Sequence, residues 1–148
     1  FGPAQLKSAR VRSVRGGADD DALLVLAHES GVESILSASA VVGAPGPRMR
    51  VIGSEGALVI EDLDPQEALL RSGVLPQEGK WRQPTASAAF IHRGEKIEKF
   101  EADDGNYCVF YSLVHAAIAN KTAMPISPEE ILDVARIIDQ AREMSDLA

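Results

Sequence analysis

The side chains in this chain that could do chemistry are three histidines, one cysteine, two acidic clusters, a tryptophan and a pair of tyrosines. His28, His92 and His115 are scattered without metal-ligand spacing, and Cys108 has no second thiol, so a zinc site is not indicated. His28 closes an apolar run and His115 falls within a helical one. Both read as partly buried structural histidines, with a general base as the alternative. Asp19, Asp20 and Asp21, and Glu61 and Asp62 with Asp64, are carboxylate clusters. They read as solvated loop charges or as ligands for a divalent cation. Trp81 could stack on a sugar-like ring or cap the core. Tyr107 and Tyr111 are i, i+4 neighbours at a helix start, where a phenol can bury its ring and turn its hydroxyl to a ligand. The alternative is that both rings pack over the sheet. No G-x-G-x-x-G, G-x-x-x-x-G-K-[ST] or G-x-S-x-G occurs, which removes a dinucleotide cradle, a phosphate loop and a hydrolase elbow. The glycine pairs Gly43/Gly46 and Gly53/Gly56 read as turns.

Bulk properties narrow the classes further. The chain has 148 residues, enough for one domain spanning 1–148 with a real core. Its 45% hydrophobic and 25% charged residues are ordinary for a soluble globular protein. A formal net charge of −7 argues against nucleic acid, which demands clustered Lys and Arg. Lys7, Arg10, Arg12 and Arg15 form a basic run that reads as the solvated face of a first strand. No apolar segment is long enough to span a bilayer. The lone cysteine excludes an intrachain disulfide framework and fits a reducing, cytoplasmic setting. Phe1-Gly2-Pro3 has neither the initiator Met nor the basic and apolar regions of a signal peptide, so the expectation is a chain that starts inside a longer parent.

The elements that must position these groups follow from periodicity. Gln5 to Arg15 alternates and reads as a strand with one solvated face. Ala22 to Ala27 is a continuous apolar run, read as a central strand buried on both faces or as a buried helical turn. Val32 to Val42 continues the strand-rich part, and Gly43 to Pro47 is a loop. Arg48–Ile52 and Ala57–Glu61 flank Gly53-Ser54-Glu55-Gly56 as a hairpin. Asp64, Pro65 and Glu67 then start a short helix to about Ser72. Gly73 to Ser87 is irregular. Ala88–His92 and Lys96–Glu101 form a second hairpin around Gly94, although Ile97 and Phe100 are three apart and cannot share one strand face. Phe110, Leu113, Val114, Ala117 and Ile118 mark a helix from about Tyr107 to Ala119. Ser127-Pro128-Glu129-Glu130 is a capping box, opening a helix with Ile131, Val134, Ala135 and Ile138 on its apolar side. The fold class expected is α+β, with helices packed on one face of a mostly antiparallel sheet.

Several separated motifs, in order, resemble one family. They are Val51-Ile52-Gly53-Ser54-Glu55-Gly56-Ala57-Leu58, then Asp64-Pro65-Gln66-Glu67, Leu70, Gly73, Pro76 and Trp81. Gly105-Asn106-Tyr107, Phe110-Tyr111, Ala117-Ile118, Pro125 and Glu129-Glu130 follow. Over nearly its whole length the chain resembles the C-terminal domain of the Gfo/Idh/MocA oxidoreductases. Asp64 to Trp81 is most similar to the branch of NADP-dependent scyllo-inositol dehydrogenases.

The resemblance implies an open-faced, mostly antiparallel sheet that lines a substrate pocket and forms oligomers through its exposed face. It also implies a separate N-terminal Rossmann domain that binds NAD or NADP and carries the catalytic Lys. An acid/base His lies on the helix that leads into the C-terminal domain. None of those motifs is in this sequence, so no catalytic residue and no cofactor contact is assigned to it. Hydride transfer by this chain alone is not expected. Sugars, cyclitols and related polyols are the implied substrates, with Arg48, Asp64, Gln66, Trp81 and Tyr107 as substrate-side candidates. Two other readings stay open. One is a stand-alone α+β ligand-binding or assembly domain, and the other a metal-dependent enzyme built on the aspartate cluster.

Overall fold

The alternating apolar residues of the first forty positions form an antiparallel meander. In the computed structural model, which describes residues 1–62, 66–75, 88–101 and 106–146, its strands are β1 (Ala4–Arg12), β2 (Asp21–His28) and β3 (Glu33–Ser39), in the order β1-β2-β3. A bulge between Leu6 and Ser8 resets the pleat of β1. Ala4 and Leu6 are half-buried before it, and Ala9 and Val11 after it, so the inward phase shifts from even to odd positions. Lys7, Arg10 and Arg12 are exposed, as expected of a solvated face.

Two expectations about this sheet change. The first strand stops at Arg12 rather than continuing to Arg15, because the Asp20 carboxylate captures the amides that a longer strand would need. It accepts from Val14 N at 2.6 Å and Arg15 N at 3.1 Å, and pairs with Arg15 Nε at 2.9 Å. The second concerns β2. It is central in its ladder, but Leu26 is its one buried residue and Leu23 is exposed. The continuous apolar run therefore marks a strand with two neighbours, not one covered on both faces.

α3 (Pro128–Asp146) packs along β1. Its capping box forms as expected. Glu130 N donates to Ser127 Oγ at 3.2 Å, and Ser127 N donates back to Glu130 Oε2 at 2.9 Å, an arrangement that stabilises a helix start by about 1 kcal/mol. The helix uses a different side from the one its most apolar stripe suggests. Ala141 is buried and Ile137 and Ser145 are half-buried, whereas Ile131 and Val134 are more than half exposed. Small residues decide this. Ala141 and Ser145 allow close approach, and Ser145 Oγ accepts from Val11 N at 2.8 Å. Asp19 pairs with Arg142 at 3.0 Å on the same helix. The meander and α3 form one compact unit, Phe1–Ala44 with Ile126–Ala148.

The second unit, Pro45–Pro125, is built on a four-stranded antiparallel sheet in the order β4-β5-β6-β7. Its strands are β4 (Met49–Gly53), β5 (Gly56–Ile60), β6 (Ala88–Arg93) and β7 (Lys96–Glu101). Both expected hairpins are present with two-residue loops, Ser54-Glu55 and Gly94-Glu95. Gly94 takes φ +60, the primed turn geometry that follows the twist of paired strands. β7 is a regular edge strand, with Ile97 opposite His92 and Phe100 opposite Ala89. The two apolar side chains point to opposite faces, and both are more than half exposed. Two helices complete the unit, α1 (Gln66–Arg71) and α2 (Tyr107–Asn120). Among the described residues the architecture is α+β, antiparallel strands with three helices. Among the described residues, no helix is long and apolar enough to cross a membrane.

Acid sensitivity should concentrate in the first unit. Hydrogen bonds from the Val14 amide, then the Arg15 side chain, hold the Asp20 carboxyl below its ordinary range. Arg12 and Ser39 do the same for Asp21. A carboxylate whose folded pKa is depressed stabilises the fold above its unfolded pKa, about 4, and that contribution fades as pH falls through the lower folded value. Asp20→Asn should therefore lower the urea midpoint at pH 7, and the gap from the parent should narrow as pH falls below about 4. Equal midpoints at pH 7 would show that the carboxylate contributes nothing there.

Candidate substrate-facing corner

Arg48, one of the substrate-side candidates, lies at one end of the four-stranded sheet. The register Met49↔Ile60↔Ala89↔Phe100 places the start of β4, the end of β5, the start of β6 and the end of β7 side by side there. Among the described residues, the opposite end carries the tight turns. Arg48 sits just before β4, and its amide donates to Glu61 O at 3.2 Å, extending the hairpin by one pair. Its side chain is exposed, and among the described residues no carboxylate pairs with it.

Gln66, the first residue of α1, is the one buried polar residue among those described, at 3% exposure. Its Oε1 accepts from the Tyr107 amide at 2.8 Å, across 41 positions of sequence. A helix start leaves its first amides without intrahelical partners, and three at the start of α2 are supplied individually. Tyr107 N goes to Gln66, Cys108 N to Asn106 Oδ1 at 3.0 Å, and Val109 N to Asn106 O at 3.1 Å. Asn106, in an extended conformation, is the N-cap, a role its side chain and position just before an apolar helix make legible. The Gln66 contact carries no comparable sequence signal.

The tyrosine rings do not pack over the sheet. Tyr107 is 41% exposed and Tyr111 70%, with the Tyr111 ring edge-on to Phe110 at 5.5 Å. Both tyrosines are exposed. The structure thus joins Gln66 and Tyr107 directly. Arg48 stands just before β4, and Asp64 and Trp81 lie outside the described residues.

Of the other chemistry-bearing groups, His28 and the three aspartates are engaged structurally. His28 Nδ1 meets Gly2 O at 3.0 Å and its Nε2 meets Ser34 Oγ at 2.8 Å, so this histidine ties the chain start to β3. His115 is exposed on α2, against the expectation of partial burial, because its helix turns that side to solvent. Asp19, Asp20 and Asp21 are neither bare loop charges nor a cluster turned to one point. Each is paired with a different arginine, Arg142, Arg15 and Arg12. Cys108 is half-buried in the first turn of α2.

These elements place the chain among known proteins. The family model described as "Oxidoreductase family, C-terminal alpha/beta domain" matches residues 1–146. The chain belongs to the Gfo/Idh/MocA oxidoreductase family, as its C-terminal domain. Within this family it is 27% identical over 151 residues to scyllo-inositol 2-dehydrogenase (NADP(+)) IolW of Bacillus subtilis (strain 168), covering 98% of this chain and 42% of the relative. A solved structure from Klebsiella pneumoniae, assigned as an oxidoreductase, superposes with a TM-score of 0.84 at 26% identity, over 98% of this chain and 42% of that one. The structure of yvaA from Bacillus subtilis, also assigned as an oxidoreductase, gives 0.79 at 29% identity, over 98% and 44%. The chain thus spans about two fifths of the length of the relatives it matches.

The described residues do not fit a nicotinamide dinucleotide. Such a cofactor is held by a glycine-rich turn between a parallel strand and a helix, with its pyrophosphate on the free amides of the helix start. The strands here are antiparallel. At the start of α2, the amides of Tyr107, Cys108 and Val109 are engaged by Gln66 and Asn106. At the start of α3, the carboxylate of Glu130 already holds the capping position.

Proposed function

We propose that this chain is the substrate-binding and oligomerisation domain of an NAD(P)-dependent dehydrogenase for a sugar or inositol-like polyol. Its two units work as one domain, and the cofactor is held by the rest of a longer protein. The observation that carries this reading is the match of residues 1–146 to the family's C-terminal domain, together with similarity to 42% of the length of an NADP-dependent scyllo-inositol dehydrogenase. The hydroxyl of the exposed Tyr107 and the Arg48 guanidinium serve as hydrogen-bonding groups for polyol hydroxyls. Asp64 and Trp81 belong to the same proposed substrate side, and Gln66 supports it from within. No acid, base or hydride-handling group is assigned to this chain. Leu23 and Ile35, both largely exposed, lie on one face of the three-stranded sheet and suit contact with a second copy.

With scyllo-inositol and NADP+, the longer protein should reduce the nicotinamide, whereas the 148-residue chain alone should not. Steady reduction by the isolated chain would contradict this division of labour. Failure of the longer protein to use any cyclitol or sugar would contradict the substrate class.

A further inference from the structure

The Gln66–Tyr107 hydrogen bond joins two separate elements through a buried side chain, and it ends on a residue that is itself exposed. We infer that Gln66 is a positioning residue for substrate recognition. By holding the first amide of α2 it fixes where the Tyr107 hydroxyl stands, without touching substrate itself. This rests on the proposal that Tyr107 meets a polyol.

Tyr107 is the first residue of α2, where helices fray most readily. Asn106 can cap the amides of Cys108 and Val109, but the Tyr107 amide points to Gln66 instead. That one bond therefore decides whether the helix begins at Tyr107 or a residue or two later. A start displaced by one residue would move the phenol by more than a hydrogen bond tolerates, and misplacement of about 1 Å can cost about 100-fold in rate. Gln66 can hold this place because it is buried and its backbone belongs to α1. The short helix thereby becomes a strut whose first side chain reads the start of the next helix. Glu at position 66 would keep an acceptor facing a helix start, where negative charge is favoured.

The test pairs amide hydrogen exchange at residues 107–109 with binding of scyllo-inositol to the longer protein in the presence of NADP+. Gln66→Ala should speed exchange of the Tyr107 amide at least about tenfold and weaken cyclitol binding. In that background Tyr107→Phe should add little, because the hydroxyl is already misplaced. Gln66→Glu should restore slow exchange and most of the binding, which also guards against a variant that merely folds poorly. Unchanged exchange in Gln66→Ala, or full additivity with Tyr107→Phe, would overturn the positioning role. If the parent protein binds no cyclitol while exchange responds as expected, the substrate reading fails and the helix clamp alone survives.

Discussion

Gly56→Ala should destabilise the four-stranded sheet by about 3 kcal/mol, whereas Gly53→Ala, three residues away in the same turn, should be close to neutral. The two glycines look equivalent in the sequence, as the bounds of one hairpin connection. They differ in what surrounds them. A Cβ added at Gly56 would fall on the carbonyl oxygen of His92, with the Arg93 side chain 3.2 Å away and the backbone at φ +158. A Cβ at Gly53 would meet only the Gly56 carbonyl oxygen, at an ordinary 3.7 Å. Gly56 lies on β5, which is hydrogen-bonded to both β4 and β6, so relief of the clash must open a central ladder. Against a typical total stability of about 5–15 kcal/mol, such a loss is severe. Urea unfolding measures it directly: the midpoint should fall sharply for Gly56→Ala with the slope retained, and stay within about 0.5 kcal/mol of the parent for Gly53→Ala. Similar midpoints for both variants would mean that the β5–β6 approach is looser than described.

Gln66→Leu should cost about 1–3 kcal/mol, although it replaces a polar residue by an apolar one of similar size at a buried position. Hydrophobic transfer alone would predict a gain. The sign is set by the Tyr107 amide, which loses the oxygen 2.8 Å away and keeps no intrahelical partner. By contrast, the exposed pairs Arg71–Glu67 and Arg136–Asp133 should each contribute under about 1 kcal/mol, since solvent screens them and long side chains must be ordered to form them. Thermal unfolding of Gln66→Leu beside Glu67→Ala separates the two cases. A neutral or stabilised Gln66→Leu would show that the buried amide oxygen is not needed.

The contrast between those residues also marks what was legible in the sequence. Local chemistry was readable: Ser127 and Glu130 cap α3 reciprocally, the Gly94 turn closes a hairpin, and six of the seven described strands lie near positions read as strands. The α+β class and the family followed from ordered motifs along the chain. What failed to show was choice among chemically similar options. α3 carries two apolar sides, and which one meets β1 was decided by the small residues Ala141 and Ser145 and by the Val11 amide. The end of β1 was set by Asp20, whose capture of two amides has no period to detect. Of the site candidates, Arg48 was named through the family resemblance, and exposure of Tyr107 was one of two readings of its ring. Gln66 was chosen for its place in a motif, and its structural task, a contact across 41 residues, could not be read from spacing.

The central claim is that this domain faces the substrate while the cofactor is held elsewhere, and Tyr107→Phe in the longer protein tests it most directly. Loss of one hydrogen bond to a cyclitol should raise the KM for scyllo-inositol by about 3- to 10-fold, with the KM for NADP+ unchanged. An unchanged KM for the cyclitol, or a rise confined to NADP+, would contradict the account.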